Sequence, residues 1–304
     1  DTDKLQINNA VVCFHPEDGR VLFAIPWGDR TYIGTTDTDY TESLEDLAAT
    51  KEDVVYLLKA ANAYFPKNTL TEEDVISTWA GVRPLVSEDT GDDQSESSVS
   101  REHSILVESN GLITIAGGKL TTYRRMAKEV VEHAVKQLET RGVSISAATE
   151  RDTGLEPLIG AVGWPSDDKA VDDMVHKLMT DAQQKIQVDT AQLLLKTYGM
   201  RAFDVIKLCV DNPKLSERIV PNSDRAEIVA QVHFSVQQEM AYALEDVMIR
   251  RTQLFFKDRN QGLDGLDTVA DAMGELLDWD DAEKEAQKER YRVEVVRSRR
   301  WRDA

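Results

Sequence analysis

The sequence contains little cysteine and no long hydrophobic run. Cys13 and Cys209 are the only two cysteines among 304 residues, and they lie far apart. Small disulfide-dependent domains carry several closely spaced cysteines, so a disulfide framework is not predicted and a reducing cytoplasm fits. No apolar stretch approaches the roughly 18 residues that a membrane-spanning helix needs, and no signal peptide is visible.

Positive charge is also scarce. Lysine and arginine total 36 against 55 aspartate and glutamate residues, so the net charge is −19 and the pI is near 4.7. Nucleic-acid binding requires a basic surface that neutralises phosphates, and a nucleic-acid partner is therefore not predicted. The hydrophobic content of 41% is sufficient for packed cores, and a chain of this length is typical of two domains.

The first 142 residues are predicted to be rich in strands. Two apolar runs, Asn9 to Phe14 and Arg20 to Pro26, flank an Asp-Gly turn signal and predict an antiparallel meander. We expect one face of this meander to cover a ligand. Further elements are also predicted: a helix at 50–65, a strand at 75–82, a mobile acidic loop (or a lid) at 87–100, a hairpin at 103–116 around Asn-Gly, and a helix at 123–141.

Residues 143–167 form a polar connector that contains glycine and proline, and we place the domain boundary there. The predicted domains are thus 1–142 and 168–304. Apolar spacing is helical almost throughout the second, so the predicted fold class is α+β, with a β-rich part followed by an all-α domain. The predicted helices are 168–183, 188–197, 201–211, 214–218, 224–232, 236–249, 265–277 and 280–298.

One stretch is typical of an anion-binding junction. A hydrophobic strand that ends at Ala116 is followed by Gly117-Gly118-Lys119-Leu120-Thr121-Thr122 and then by an amphipathic helix. Such a junction directs backbone N–H groups and a helix N-terminus toward one point, which favours an electron-rich or anionic group. Glycines allow a ligand to approach the backbone, and Lys119 adds a positive charge. The alternative is a packing junction with a surface lysine.

Four phrases in order carry a family resemblance. They are Phe-Ala-Ile-Pro-Trp at 23–27, Ile-Gly-Thr-Thr-Asp at 33–37, Trp-Ala-Gly-Val-Arg-Pro-Leu at 79–85 and Ala-Gly-Gly-Lys-Leu-Thr-Thr-Tyr-Arg at 116–124. Together with Leu-Glu-Asp-Val-Met-Ile-Arg-Arg-Thr-Gln-Leu at 244–254, they resemble the FAD-dependent, quinone-linked glycerol-3-phosphate dehydrogenases over nearly the whole chain. The resemblance implies oxidation of sn-glycerol 3-phosphate to dihydroxyacetone phosphate, with FAD as the hydride acceptor. The implied electron acceptor is a quinone or, as in the oxidase relatives, oxygen.

The chain departs from this family in one respect. It contains no Gly-x-Gly-x-x-Gly motif, which in the family holds the FAD pyrophosphate. It also begins with Asp1 on a segment that looks like the middle of a substrate domain. We therefore expect a C-terminal part of a longer enzyme, inactive by itself. The absent part would complete the flavin site and could carry the general base, because nothing in the sequence makes His103 or the other four histidines a base.

The resemblance assigns roles to individual residues. Arg83 matches a substrate-binding arginine, with a structural ion pair as the alternative, and Arg101 matches a second one less closely. Lys119 is predicted either to stabilise the reduced flavin or to hold the substrate phosphate. Lys119 and Arg83 are thus the predicted catalytic residues. Backbone and hydroxyl donors to the flavin are predicted from Gly117, Gly118, Leu120, Thr121 and Thr122, and no metal site is predicted.

The sequence leaves open which partners and which substrate class the chain binds. The basic run at 290–302 is predicted to be a solvated tail, with contact to an anionic membrane surface as the alternative. The helical domain could instead be an interaction module or support a homodimer. An exposed apolar face on helix 236–249 would favour that reading. A relative that oxidises an amine or an amino acid is a further alternative.

Overall fold

The computed structural model describes residues 1–67, 69–83, 102–145 and 153–303. Arg101 and the predicted mobile loop at 87–100 lie outside these residues. The chain divides into two compact units, one formed by Asp1–Gly81 with Gly160–Ala304 and the other by Val82–Ile159. The domain boundaries at 142 and 168 stay predictions.

The N-terminal part of the first unit is a three-stranded antiparallel sheet, as predicted. After a short helix α1 (Thr2–Leu5), strands β1 (Val11–Phe14), β2 (Val21–Trp27) and β3 (Arg30–Gly34) pair in the order β1-β2-β3. Helix α2 (Lys51–Tyr64) packs on one face, where alternate strand residues are buried against it. The sheet and α2 therefore form two packed layers.

The C-terminal part of the first unit is helical, as predicted, which confirms the α+β class. Its helices are α4 (Asp168–Asp181), α5 (Val188–Tyr198), α6 (Ala202–Asp211), α7 (Val229–Glu239), α8 (Leu254–Lys257), α9 (Leu266–Leu277) and α10 (Asp281–Arg299). Two buried clusters stabilise them: one involves α4, α5 and α6, and the other involves α7, α9 and α10.

The second unit contains a hairpin and a long helix. Strands β4 (His103–Val107) and β5 (Ile113–Gly117) are antiparallel around the Asn-Gly turn, and α3 (Tyr123–Thr140) contacts β5. No hydrophobic side chain that the structure describes in this unit is fully buried. Its local structure therefore depends on strand pairing and polar contacts more than on a core of its own.

The predicted strand at 75–82 is wrong, because this segment is irregular throughout. Its side chains bond to the helical part of the same unit: Ser77 Oγ donates to Phe256 O at 2.8 Å and Thr78 Oγ1 donates to Ser298 O at 2.9 Å. The Trp79 ring packs edge-on against Phe256. Side-chain contacts of this kind compete with strand pairing, and sequence periodicity does not reveal them.

Two predicted helices have wrong boundaries. Residues 224–228 are not helical, because Ile219 N donates to Glu227 O and Val229 N donates to Glu217 O, which holds this segment extended. Helix α7 starts only at Val229. It ends at Glu239, and the left-handed conformation of Met240 interrupts the predicted helix 236–249. A π-helical turn follows at Asp246–Arg251. Of the apolar side chains of that turn, Val247 and Met248 are fully buried and Ile249 is partly buried, which counts against an exposed docking face in the turn itself. Met240 and Tyr242, before the turn, are exposed.

The C-terminal basic run is not a solvated tail. Helix α10 continues into a 3₁₀ turn at Arg300–Asp303, where the Trp301 side chain is buried. Arg300 Nη1 lies 2.7 Å from both carboxylate oxygens of Asp46, and Arg302 donates to the Val75 carbonyl. The basic residues therefore bind acceptors within their own unit. Of the helices in the described part of the chain, none combines the length and apolarity needed to cross a bilayer.

An ion-pair network joins the sheet to the helical part of the first unit. Arg30 Nη2 and Arg225 Nε both donate to the Asp224 carboxylate, at 2.6 and 3.0 Å. Arg225 also pairs with Asp29, and Arg30 Nε donates to Lys257 O at 2.9 Å. Both guanidinium groups are buried, whereas Asp224 is more than half exposed. The carboxylate of Asp224 is thus shared by two buried cations.

Asp224→Ala is expected to lower the free energy of unfolding by about 2 kcal/mol, because it leaves two buried guanidiniums with fewer partners. Burial alone would raise the pKa of Asp224, but hydrogen bonds from Arg30 and Arg225 lower it to about 2. A carboxyl whose pKa is lowered on folding stabilises the protein above its unfolded value and loses that effect on acidification. The difference between wild type and variant should therefore shrink between about pH 4 and pH 2.

The matched control for Asp224 is Asp181→Ala. Asp181 pairs with Lys177 at 2.6 Å in an exposed i,i+4 arrangement on α4, and such a pair contributes about 0.5 kcal/mol or less. Urea unfolding of both variants at neutral pH measures the difference. Equal losses in the two variants would contradict a structural role of the network.

Candidate functional site

The predicted strand–glycine–helix junction is present in the second unit. Strand β5 ends at Gly117, and Gly117 and Gly118 adopt positive φ values of 75° and 85°. Lys119 is extended, Leu120–Thr122 form one 3₁₀ turn, and α3 starts at Tyr123. We refer to Gly117–Thr122 as the glycine–lysine turn. Because strand and helix fix both of its ends, the backbone between them has a defined path.

The reason for glycine at position 118 differs from the sequence interpretation. A Cβ atom at Gly118 would lie 2.6 Å from Met126 Sδ and 3.2 Å from His103 Cβ. Those distances are shorter than van der Waals contact, and the positive φ also disfavours other residues. Met126 Sδ is the end of a flexible side chain, so the positive φ and the closeness of His103 Cβ are what favour glycine there, and neither requires a ligand.

The turn is closed by one threonine. Thr122 N and Thr122 Oγ1 both donate to Lys119 O at 2.9 Å, and Thr122 Oγ1 accepts from Lys119 N at 3.3 Å. A short polar side chain that bonds to nearby backbone stabilises such turns. The Thr122 hydroxyl is thus engaged in holding the turn, whereas it was predicted to donate to a ligand.

Other donors of the turn have no acceptor within the part of the chain that the structure describes. They are the backbone amides of Gly118, Leu120 and Thr121, the Thr121 hydroxyl and the Lys119 ammonium. Lys119, Leu120 and Thr121 are exposed, and Leu120 is 88% exposed. Polar donors gathered on an exposed turn suit an acceptor group of a bound molecule.

The electrostatics of the turn favour a negative group. The first turn of α3 contains no acidic residue, and within the described segments no side chain caps its N-terminus. Arg124 and Arg125 instead occupy that turn, next to Lys119. Cations at a helix N-terminus oppose the positive end of its dipole. An electron-rich or anionic ligand would offset this repulsion.

The structure brings together only part of the predicted site. Gly117, Gly118, Lys119, Leu120, Thr121 and Thr122 lie in one turn. Arg83 is exposed and belongs to the same unit, at the end of the described segment 69–83. Arg101 lies outside the described residues. The substrate-binding roles of Arg83 and Arg101 thus remain predictions.

One arrangement beside the turn was missed at the sequence level. His103 lies directly opposite Gly117 in the β4–β5 register. Its Nε2 is 2.6 Å from Glu129 Oε2, and Glu129 Oε1 accepts from Arg125 Nε at 2.8 Å. The hydrogen bonds from Arg125 and His103 lower the pKa of the Glu129 carboxyl. The Arg125–Glu129 spacing of four residues could have predicted the helix pair, but not its link to His103.

Metal ligands do not cluster in the described segments, where no group of three or more His, Cys, Asp or Glu side chains could hold an ion. The two cysteines are unpaired and buried. Burial raises the pKa of the Cys209 thiol to about 11, which disfavours a reactive thiolate. The chemistry of the described residues therefore centres on cationic and backbone donors.

Comparison with protein families gives two matches. Residues 2–124 match the FAD dependent oxidoreductase family, and residues 152–284 match the C-terminal domain of alpha-glycerophosphate oxidase. The first match includes the sheet, the β4–β5 hairpin and the whole glycine–lysine turn. The second covers most of the helical part.

Comparison with individual proteins points the same way. The chain is 35% identical over 291 residues to the aerobic glycerol-3-phosphate dehydrogenases of several Staphylococcus aureus strains, including USA300 and NCTC 8325. The alignment covers 95% of this chain and 50% of each relative, so the chain spans about half the length of these curated relatives. The structure of a glycerol-3-phosphate dehydrogenase from Bacillus halodurans, complexed with FAD, matches with a TM-score of 0.76 and 29% identity, over 98% of this chain and 55% of that one.

Proposed function

Because the chain belongs to the family of the aerobic, FAD-dependent glycerol-3-phosphate dehydrogenases, we propose that it forms part of an enzyme that oxidises sn-glycerol 3-phosphate to dihydroxyacetone phosphate. The observation that carries this proposal is the glycine–lysine turn. It combines amide donors that no described residue accepts from, an exposed ammonium, and a helix N-terminus that no described side chain caps. This donor set fits the electron-rich edge of a flavin.

The residues of the turn would hold and polarise the flavin. When bound, FAD supplies a two-electron acceptor that takes the hydride from C2 of the substrate, while the C2 hydroxyl loses a proton. The amides of Gly118, Leu120 and Thr121 would donate hydrogen bonds to the ring. Lys119 would stabilise the negative charge that develops at the N1–C2=O edge, since a fixed cation in that position lowers the barrier.

Arg83 and Arg101 would bind the substrate phosphate. A guanidinium is always charged and donates in two directions within one plane, which matches two phosphate oxygens. Pro84 restricts the backbone of the residue that precedes it, so the sequence fixes the backbone from which the Arg83 side chain extends. Their cationic charge would also select an anionic substrate over free glycerol.

We further propose a quinone as the electron acceptor. The family resemblance supports this choice. Oxygen is the alternative acceptor, because residues 152–284 match the C-terminal domain of alpha-glycerophosphate oxidase. A quinone dissolved in a bilayer requires that the enzyme touch the membrane surface. Peripheral contact therefore belongs to the same proposal.

Flavin bleaching tests the function. The natural protein in full length is expected to bind yellow FAD and to lose its visible absorbance when sn-glycerol 3-phosphate is added without oxygen. Glycerol, which lacks the phosphate, and an amino acid should leave the absorbance unchanged. Bound flavin that only an amine or an amino acid bleaches would replace this proposal with the amine-oxidising alternative. A protein that binds no flavin would exclude the proposed function.

A further inference from the structure

Beside the glycine–lysine turn, a hydrogen bond joins β4, the strand paired with β5, to the helix that follows the turn. His103 begins β4, and its cross-strand partner Gly117 is the first residue of the turn. Glu129 lies on α3, beyond the end of the turn. The bond from His103 Nε2 to Glu129 Oε2, at 2.6 Å, therefore connects both ends of the turn at a fixed separation.

His103 also lies close to the middle of the turn, since a Cβ atom built on Gly118 would be 3.2 Å from His103 Cβ. The space beside the Gly118 Cα atom is bounded by His103 Cβ on one side and by the Met126 thioether on the other. Met126 is a residue of α3, as is Glu129. Gly118 thus lies between the strand that carries His103 and the helix that carries its partner, and a shift of that helix would move the turn.

The environment makes this bond more than a surface contact. The His103 side chain is 19% exposed and Glu129 is 31% exposed, so the pair is partly shielded from water. A hydrogen bond between an imidazole and a carboxylate is of the charge-assisted kind, which is shorter and stronger than a neutral one. Arg125 holds the second carboxylate oxygen at 2.8 Å and so restricts the rotamer of Glu129.

We propose that His103 and Glu129 are positioning residues for the glycine–lysine turn. The pair fixes the end of β5 against α3. It thereby determines the positions of the Gly118 amide and the Lys119 backbone relative to a bound flavin. This inference rests on the proposed function of the turn. It assigns no proton transfer to His103, whose Nε2 is engaged by the carboxylate.

His103→Phe tests the proposal, because it keeps a ring of similar size and removes the hydrogen bond. In the natural protein in full length, it is expected to raise the Kd for FAD about tenfold, which corresponds to about 1.4 kcal/mol. Hydrogen exchange of residues 113–124, followed by mass spectrometry without FAD, should become several times faster. His103→Gln can still donate to Glu129 and should restore both quantities to within about threefold of wild type.

A matched control and a second variant complete the experiment. His133→Phe makes the same change at an exposed histidine of α3 and should alter neither quantity. Glu129→Ala removes the carboxylate that accepts the hydrogen bond. Because Glu129 is the more exposed of the two residues, the variant is expected to fold, and it should reproduce the effect of His103→Phe. Together they separate the bond from any general effect of substitution in this unit.

The contrary outcomes are distinct. If His103→Phe and His133→Phe behave alike, or if His103→Gln is as defective as His103→Phe, the positioning role is overturned and the proposed function is unaffected. If the wild-type protein binds no FAD while exchange still accelerates in His103→Phe, the proposed function fails and the structural coupling between the pair and the turn stands.

Discussion

Arg83→Ala, made in the natural protein in full length, is expected to lower kcat/KM for sn-glycerol 3-phosphate by well over tenfold. A hydrogen bond to a charged group contributes about 1.5–3 kcal/mol, which corresponds to a loss of roughly 13- to 160-fold in kcat/KM at 25 °C. The loss should appear as a raised KM if the arginine binds substrate and transition state equally. Steady-state kinetics with an artificial electron acceptor measure both constants.

Two further variants make the result specific. Arg83→Lys keeps the positive charge but loses the planar fork, and it should recover only part of the activity. Lys128→Ala removes an exposed cation of α3, in the same unit, that faces Glu132 at 3.9 Å, and it should leave the kinetics unchanged. Unaltered kinetics in Arg83→Ala would show that this arginine serves a structural ion pair, the alternative left open by the sequence.

Local rules predicted much of the fold correctly. The Asp-Gly and Asn-Gly pairs predicted the β1–β2 and β4–β5 hairpins, because the glycine of each pair adopts the positive φ that its turn needs. Apolar periodicity gave α2, α3, α9 and α10 to within about two residues, which is the ordinary uncertainty of helix ends. In each of these elements the signal lies within some twenty consecutive residues.

The failures share one physical cause. The segment 75–82 and the basic C-terminal run take their structure from partners more than 200 residues away: Thr78 bonds to Ser298, and Arg300 binds Asp46. The extended segment before α7 depends instead on a nearer partner, since Ile219 N donates to Glu227 O across a short loop. Composition and periodicity predict only that such segments are polar or favour strands. Their conformation depends on hydrogen-bond acceptors that are brought close only in the folded chain.

The candidate site also has one part that the sequence predicts and one part that it does not. The glycine–lysine turn was predictable, since strand, glycines and helix are contiguous in sequence. The pairing of His103 with Glu129 was not, because it combines a cross-strand register with a helix position 26 residues later. The closeness of Gly118 to Met126 and His103 was hidden as well, because it depends on how α3 and the hairpin pack together. The sequence therefore predicts the residues proposed to bind the flavin, whereas the residues proposed to position the turn are identified only in the structure.

Lys119→Met is expected to slow hydride transfer at saturating sn-glycerol 3-phosphate by about 100-fold, the scale at which loss of one preorganised electrostatic donor acts on a rate. Methionine keeps the length and apolar stem of the side chain and removes only the charge. Among the described residues the Lys119 ammonium has no ion-pair partner, so the substitution leaves no carboxylate of the turn uncompensated. The protein should therefore fold normally and still bind FAD.

Anaerobic stopped-flow absorbance separates the two roles proposed for Lys119. A lowered limiting rate of flavin reduction with an unchanged Kd for the substrate would assign the ammonium to the charge that develops on the flavin. An unchanged limiting rate with a raised Kd would assign it to the substrate phosphate instead, because uniform binding affects affinity and not the chemical step. If both constants match those of the wild type, Lys119 lies outside the site and the proposed role of the turn is wrong.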